Sequence, residues 1–293
     1  MTKKMNAAEK AAYREKKRNE AEAYKAKMLE GIANFCRSDA YKEYLNIMAR
    51  FPSYSTHNLL MIMMQKPDAS LVQGFTAWKK MGRSVRKGEK GIRIWAPQFS
   101  SRKADENEEE DNDDKLVLRG FRLVSVFDVA QTEGEVLPDI CSSLSGAVSN
   151  LDDIREALIS HYGVEVYYED PGKMHGAKGV CYPNDAKIGI CSGLEQAQEL
   201  KTLIHELAHF LLHAGENGKL PTDTKELQAE SVAYVVCQHI GLDTGEYSFG
   251  YIASWGEART AKEIMDALKP VAKTAAGIME VLDGACAEAE EAA

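Results

Sequence analysis

The chain has 293 residues with 36 Lys plus Arg and 45 Asp plus Glu, a formal charge of −9 that hides a split. Residues 1–103 carry 22 basic and 9 acidic side chains, and the remainder carries 14 and 36. This length suits two domains, the longest apolar runs (Leu59 to Met64, Val232 to Cys237) are too short to span a bilayer, and six scattered cysteines without a CxxC pair exclude a zinc ribbon or disulfide scaffold, so a soluble, non-exported, cytoplasmic protein with no membrane partner is expected.

Asn6 to Lys27 is rich in Ala, Glu, Lys and Arg with opposite charges three and four apart, and reads as a solvated helix continuing into a more apolar one, Ile32 to Met48. Ser55 offers a cap ahead of Leu59 to Met64, and Pro67 ends that helix. Met81 to Gly91 places three glycines and four basic residues in a loop that presents cations and backbone amides together. Gly91 to Pro97 and Leu116 to Phe127 alternate with period two and are expected as a hairpin, its tip the acidic run Ala104 to Asp114, a solvated loop. Glycine, proline and serine between Gln131 and Asn150 mark a linker. The expected organisation is a charged N-terminal helix (1–30), an N-terminal domain (31–133), a linker (134–150) and a C-terminal domain (151–293). In the last, a helix (Leu151 to Tyr162), a strand (Val164 to Tyr168), a hairpin turning at Asn184-Asp185 and helices at Leu194 to His213, Thr224 to Ile240 and Ala261 to Glu280 are predicted.

His205-Glu-Leu-Ala-His209 matches H-E-x-x-H inside a segment that is helical by its apolar spacing. Residues four apart lie on one helix face about 6 Å apart, so both imidazoles can reach one zinc with Glu206 beside them. A third protein ligand is needed. His213 is a poor one, because three ligands at i, i+4 and i+8 spread over about 12 Å of helix axis. The next helix offers Glu226 and Glu230 on one face: one carboxylate can complete the ligand set while the other holds the outer nitrogen of a ligand histidine.

These residues resemble the gluzincin metallopeptidases, in which H-E-x-x-H is followed on a later helix by a Glu ligand and, four residues on, a supporting acid. The resemblance implies metal ligands His205, His209 and Glu226, with Glu230 supporting His205. The final Glu is one methylene longer than the usual Asp, which leaves the two carboxylates free to exchange roles. It also implies zinc, with manganese or another divalent ion as substitutes, and Glu206 as the general base for water attack on a peptide carbonyl. Tyr247, Tyr251 or His239 are candidate oxyanion donors, and Lys187 to Cys191 is the candidate edge strand for an extended protein or peptide substrate, by analogy with zincins.

In the basic half, aromatics Phe51, Tyr54, Phe75, Trp78 and Trp95 are interleaved with cations, a mixture that suits single-stranded nucleic acid or, equally, a core beneath a lysine-rich surface. The series Ser55-x-x-Asn58-Leu-Leu-Met61, Gln65-Lys-Pro67, Gly74-Phe-x-x-Trp78, Gly82-Arg83-x-Val85-Arg86-Lys-Gly88-Glu-Lys-Gly91 and Ile94-x-x-Pro97 resembles the N-terminal single-stranded-DNA-binding domain of ArdC-type antirestriction proteins. That family also joins this domain to a zincin-like one, so the resemblance runs from about Tyr41 to Trp255. It implies an α+β protein of two domains, one an α+β single-stranded-DNA-binding domain and the other a zincin-like metallopeptidase domain. It further implies a protein of a mobile genetic element that accompanies incoming single-stranded DNA in conjugation and shields it from restriction. The candidate DNA contacts are Asn58, Trp78, Lys79, Lys80, Arg83, Arg86, Lys87, Lys90 and Arg93. Two other readings compete: a regulatory peptidase like the ImmA/IrrE enzymes, whose N-domain recruits a protein, and a non-enzymatic DNA-binding protein with a structural zinc.

Overall fold

The computed structural model describes residues 6–35, 40–101, 116–137, 151–215, 219–242, 255–256 and 259–291. The chain separates into two compact units, Met1–Gly31 with Leu60–Glu135, and Ile32–Leu59 with Val136–Ala293. The segment expected to form one domain, 31–133, thus contributes Ile32–Leu59 to the second unit.

Helix α1 (Ala7–Phe35) lies in the first unit up to Gly31 and runs through the point where two helices are predicted, and α3 (Thr56–Gln65), in the first unit from Leu60 on, ends one residue before Lys66. A three-stranded antiparallel sheet follows in the order β1 (Val72–Gly74), β4 (Leu116–Asp128), β3 (Ile92–Ser101). The β3–β4 pairing runs from Ile92↔Val126 to Ser101↔Leu116, and the alternating Ile92, Ile94 and Val126 are buried, as period-two patterning requires. The acidic run Ala104 to Asp114 lies outside the described residues. Gln65 binds the β3 backbone in both directions at Arg93, its Nε2 donating to the carbonyl and its Oε1 accepting from the amide, each at 2.9 Å. Asp128 ends β4 with a buried carboxylate that accepts from the amides of Ser70 (2.8 Å), Leu71 (3.2 Å) and Ala130 (2.9 Å). Helix α4 (Phe75–Lys80) carries Trp78, and a two-stranded ribbon pairs β2 (Arg83–Val85) with β5 (Thr132–Gly134). Gly134, the first residue of the expected linker, is therefore a strand residue, and 138–150 lie outside the described residues.

The second unit is built around α7 (Thr222–His239), buried at every position from Ser231 to Cys237. That explains the uninterrupted apolar run there, since a helix apolar all round is a buried one. Around it pack α2 (Ala40–Arg50), α6 (Gln196–His213) and α8 (Ala261–Glu291), with α5 (Leu151–Tyr162) on α8. Helix α2 buries Tyr41, Tyr44, Leu45, Ile47 and Met48. The Ser231 hydroxyl donates to the Leu227 carbonyl, so the Tyr41 hydroxyl, 2.5 Å from Ser231 Oγ, is the donor between them. Tyr234 donates to Asn46 Oδ1 at 2.8 Å.

A three-stranded sheet lies beside α6 in the order β6 (Glu165–Glu169), β8 (Lys187–Cys191), β7 (Gly179–Tyr182), with β6 and β8 parallel and β7 antiparallel. The strand expected at the edge, Lys187 to Cys191, is central; the edge next to α6 is β7. The reason is visible in burial: Ile188, Gly189 and Ile190 are all buried in succession, as a strand covered on both faces requires. Among the described residues no helix is long and apolar enough to cross a membrane.

Candidate functional site

Helix α6 buries Leu200, Leu203, Ile204, Leu207 and Ala208, a stripe at three- and four-residue spacing that turns His205 and His209 together toward α7. His205 Nε2 and His209 Nε2 are 3.1 Å apart, and Glu226 reaches both, with Oε2 3.5 Å from His205 Nε2 and Oε1 3.5 Å from His209 Nε2. Ligand atoms around a tetrahedral ion with bonds of about 2.1 Å sit roughly 3.4 Å from one another, so these three side chains have the spacing of a vertex set around a divalent cation. Glu230 sits on the outer side of His205, with Oε2 3.1 Å from Nδ1, and is itself held by Lys201 at 3.5 Å. One turn further along α6, on the same face, His213 lies buried, its Nδ1 2.9 Å from His209 Nδ1.

The electrostatics follow from that crowding. Burial lowers the His205 pKa, but hydrogen bonds with Glu226 and Glu230 and the charge of Glu206 outweigh it and raise it to about 9. The same contacts from His205 and His209 hold Glu226 well below the usual carboxylate range. Glu206 is only 8% exposed, and burial raises its pKa against the opposing pull of the two histidines. These residues line a cavity of about 850 Å³ together with Gly179, Val180 and Cys181 of edge strand β7. A methyl group on Gly179 would come within 2.7 Å of Glu206 Cγ and Oε1, so glycine is what allows β7 to pass over that carboxylate. Burial and the Glu206 charge push the Cys181 thiol up to about 12, which keeps it protonated and unreactive.

Of the proposed oxyanion donors, His239 is engaged elsewhere, 3.2 Å from the Ala49 carbonyl and 2.8 Å from Asp283, and does not line the cavity. Tyr247 and Tyr251 lie outside the described residues.

The candidate DNA contacts separate into three groups. Trp78 is fully buried and its indole N–H donates to the Phe127 carbonyl at 2.8 Å; Asn58 is also buried. Both therefore belong to the packed interior, with no face of the side chain exposed. Arg83, Arg86 and Arg93 are tethered by the fold, Arg83 on Thr132, Arg86 on Glu89 and the Ala130 carbonyl, and Arg93 on Ser125 and Glu20. Lys79, Lys80, Lys87 and Lys90 are exposed. The exposed aromatics of this unit are Tyr13, Phe75, Phe99 and Phe121, and Lys79 Nζ lies 5.1 Å from the Phe75 ring centre. Phe99 and Phe121 are absent from the sequence-based set because strand alternation alone does not say which face of β3 and β4 is covered. Gly179 and Gln228 were likewise unmarked; the available signal was a polar residue amid the apolar positions of a fully buried helix, which must find partners.

Residues 8–127 match the N-terminal domain of anti-restriction factor ArdC, and residues 159–237 match the IrrE N-terminal-like domain, Peptidase M78. An uncharacterized protein of Bacillus anthracis, pXO2-81, is 27% identical over 295 residues, covering 88% of this chain and 50% of its own length. The chain thus spans about half of that relative. Two crystal structures of the antirestriction ArdC protein from plasmid R388 share the fold. The metal-free form has a TM-score of 0.52 at 20% identity, covering 80% of this chain and 86% of its own. The Mn(II)-bound form has a TM-score of 0.51 at 19% identity, covering 80% and 85%. The chain is therefore similar to an ArdC N-terminal domain in its first half and to an IrrE N-terminal-like domain, Peptidase M78, in its second.

Proposed function

We propose that this chain is a single-stranded-DNA-binding antirestriction-type protein with a divalent-metal centre of metallopeptidase character. The observation that carries the second half is the mutual spacing of His205 Nε2, His209 Nε2 and the Glu226 carboxylate, 3.1 to 3.5 Å, with Glu206 buried alongside. His205, His209 and Glu226 would hold the ion, zinc by the nitrogen and oxygen donor set, and manganese by analogy with the plasmid R388 protein. Bound there, the ion supplies Lewis acidity toward a carbonyl and acidifies a water toward neutral pH.

The chain's own residues supply the rest. Glu230 accepts from His205 Nδ1–H and so keeps the Nε2 lone pair aimed at the centre. Glu206, with its proton affinity raised by burial, accepts a proton from water and can return it to a leaving amine. The outer side of edge strand β7 carries backbone groups that an extended peptide can pair with above the cavity. In the first unit, exposed Lys79, Lys80, Lys87 and Lys90 track phosphates while Phe75, Phe99 and Phe121 offer stacking faces.

The test is Glu206→Gln in the full chain. Cleavage of a partner protein should vanish while metal content and oligonucleotide affinity are kept. If the wild type binds no single-stranded oligonucleotide at low salt, the DNA half of the reading is wrong. The match of residues 159–237 to the IrrE-like domain favours one second reading, a regulatory peptidase whose first unit recruits a protein. It predicts cleavage that proceeds without DNA.

A further inference from the structure

The outer nitrogen of His209 faces a second histidine where that of His205 faces a carboxylate, and the path continues inward. His213 Nε2 lies 3.0 Å from Gln228 Oε1, and Gln228 Nε2 lies 2.8 Å from the backbone carbonyl of Ala267. Both His213 and Gln228 are buried, at 6% and 3% exposure. The Ala267 carbonyl can only accept, so the Gln228 amide must turn its NH₂ toward it; the flipped amide would set two acceptor oxygens 2.8 Å apart. That leaves Oε1 toward His213, again an acceptor, so His213 carries its proton on Nε2. A neutral imidazole with its proton on Nε2 offers a lone pair on Nδ1. Its partner there, His209 Nδ1, 2.9 Å away, must then be the donor. With its proton on Nδ1, His209 presents the bare Nε2 to His205 and Glu226.

We infer that His213 and Gln228 are positioning residues for the metal ligand His209, a one-way hydrogen-bond relay anchored on the Ala267 carbonyl that fixes which His209 nitrogen faces the ion. This rests on reading His205, His209 and Glu226 as the metal centre. The relay is uncharged, whereas the support of His205 is an anion, so the two histidine ligands are oriented by different chemistry within one site. It also ties α6 to α8 through α7, making the backbone of a third helix part of the ligand's support.

The experiment measures zinc affinity of the full chain by competition with a chromophoric chelator, and the visible absorption of the cobalt-substituted protein. His213→Leu removes the acceptor and should weaken zinc binding by about 10- to 100-fold and change the cobalt bands. His213→Gln returns an amide oxygen and should recover most of the affinity. Gln228→Leu leaves His213 free to choose its tautomer and should give an intermediate loss with a changed cobalt spectrum. A wild type that binds neither zinc nor cobalt stoichiometrically removes the metal centre itself. A wild type that binds, with His213→Leu and Gln228→Leu matching it in affinity and spectrum, overturns the relay and leaves the metal centre standing. If His213→Leu does not fold by circular dichroism, the comparison rests on Gln228→Leu and His213→Gln: losses ordered as above support the relay, and wild-type values in both overturn it.

Discussion

The proton on His205 and a metal ion compete for one nitrogen, and this makes the pH dependence of stability a direct probe of the centre. In the metal-free protein the His205 pKa is raised from 6.5 to about 9, because hydrogen bonds with Glu226 and Glu230 outweigh a larger single effect of burial in the other direction. A group whose folded pKa lies above its unfolded value stabilises the fold fully below the unfolded pKa and loses that contribution as pH rises through the folded one. The window is therefore pH 6.5 to about 9, and its span is worth roughly 3 kcal/mol at about 1.4 kcal/mol per pH unit. The low pKa of Glu226 reflects the same contacts and is counted once. With zinc held at a fixed free concentration the proton is displaced in advance, so the loaded protein should lose nothing over this window and the stabilisation by metal should grow by the same amount. Urea unfolding at steps from pH 6 to 9.5, with and without zinc, measures both curves. His239, lowered by burial but raised overall by Asp283, also titrates, so His205→Gln serves to isolate the His205 share. A metal-free curve that is flat or rising across the window, or one unchanged by His205→Gln, refutes the reasoning.

Other outcomes follow from single contacts. Gly179→Ala should push the Glu206 carboxylate aside and cut peptide cleavage, with zinc affinity unchanged in the chelator assay; unaltered cleavage would show that β7 yields instead. Asp128→Ala orphans three amides around a buried carboxylate and should cost at least about 3 kcal/mol in the unfolding transition of the first unit, followed by tryptophan fluorescence. Trp78→Ala should cost about 3–5 kcal/mol in the same assay. By contrast, alanine at Lys79, Lys87 and Lys90 together should leave unfolding nearly unchanged and lower the salt slope of oligonucleotide binding by roughly 2, at about 0.7 per phosphate contact on a single strand. A slope identical to wild type would remove those lysines from the interface.

The parts legible in the sequence were those governed by local periodicity. The apolar stripe of α6 and the four-residue spacing of His205 and His209 are properties of one helix, and the Glu226–Glu230 pair is a second one-helix pattern. What escaped depends on partners distant in the chain. Basic and aromatic residues alternate between Phe75 and Arg93, yet nothing local tells that Trp78 faces inward to donate to Phe127 while Phe75 faces out. The strand Lys187 to Cys191 is recognisable as a strand, but its central place is set by a parallel partner, Glu165–Glu169, about twenty residues upstream. Helix α2 shows its apolar face plainly; that the face meets α7, nearly two hundred residues later, is a tertiary fact. Gln228 reads as an ordinary polar residue until the helix around it proves to be buried.

The burial of α7 from Ser231 to Cys237 has a consequence for how the ion would arrive. Glu226 stands near the start of α7, a helix gripped by three others, and both histidines stand on one of those three, so the backbones that carry the three donors are fixed relative to one another while the half-exposed Glu226 carboxylate keeps its side-chain freedom. The incoming ion then meets two histidines already at their working distance, with the Glu226 carboxylate beside them. Capture should then be a kinetically simple event, a single exponential whose rate rises in proportion to metal concentration, limited by the shedding of water from the ion.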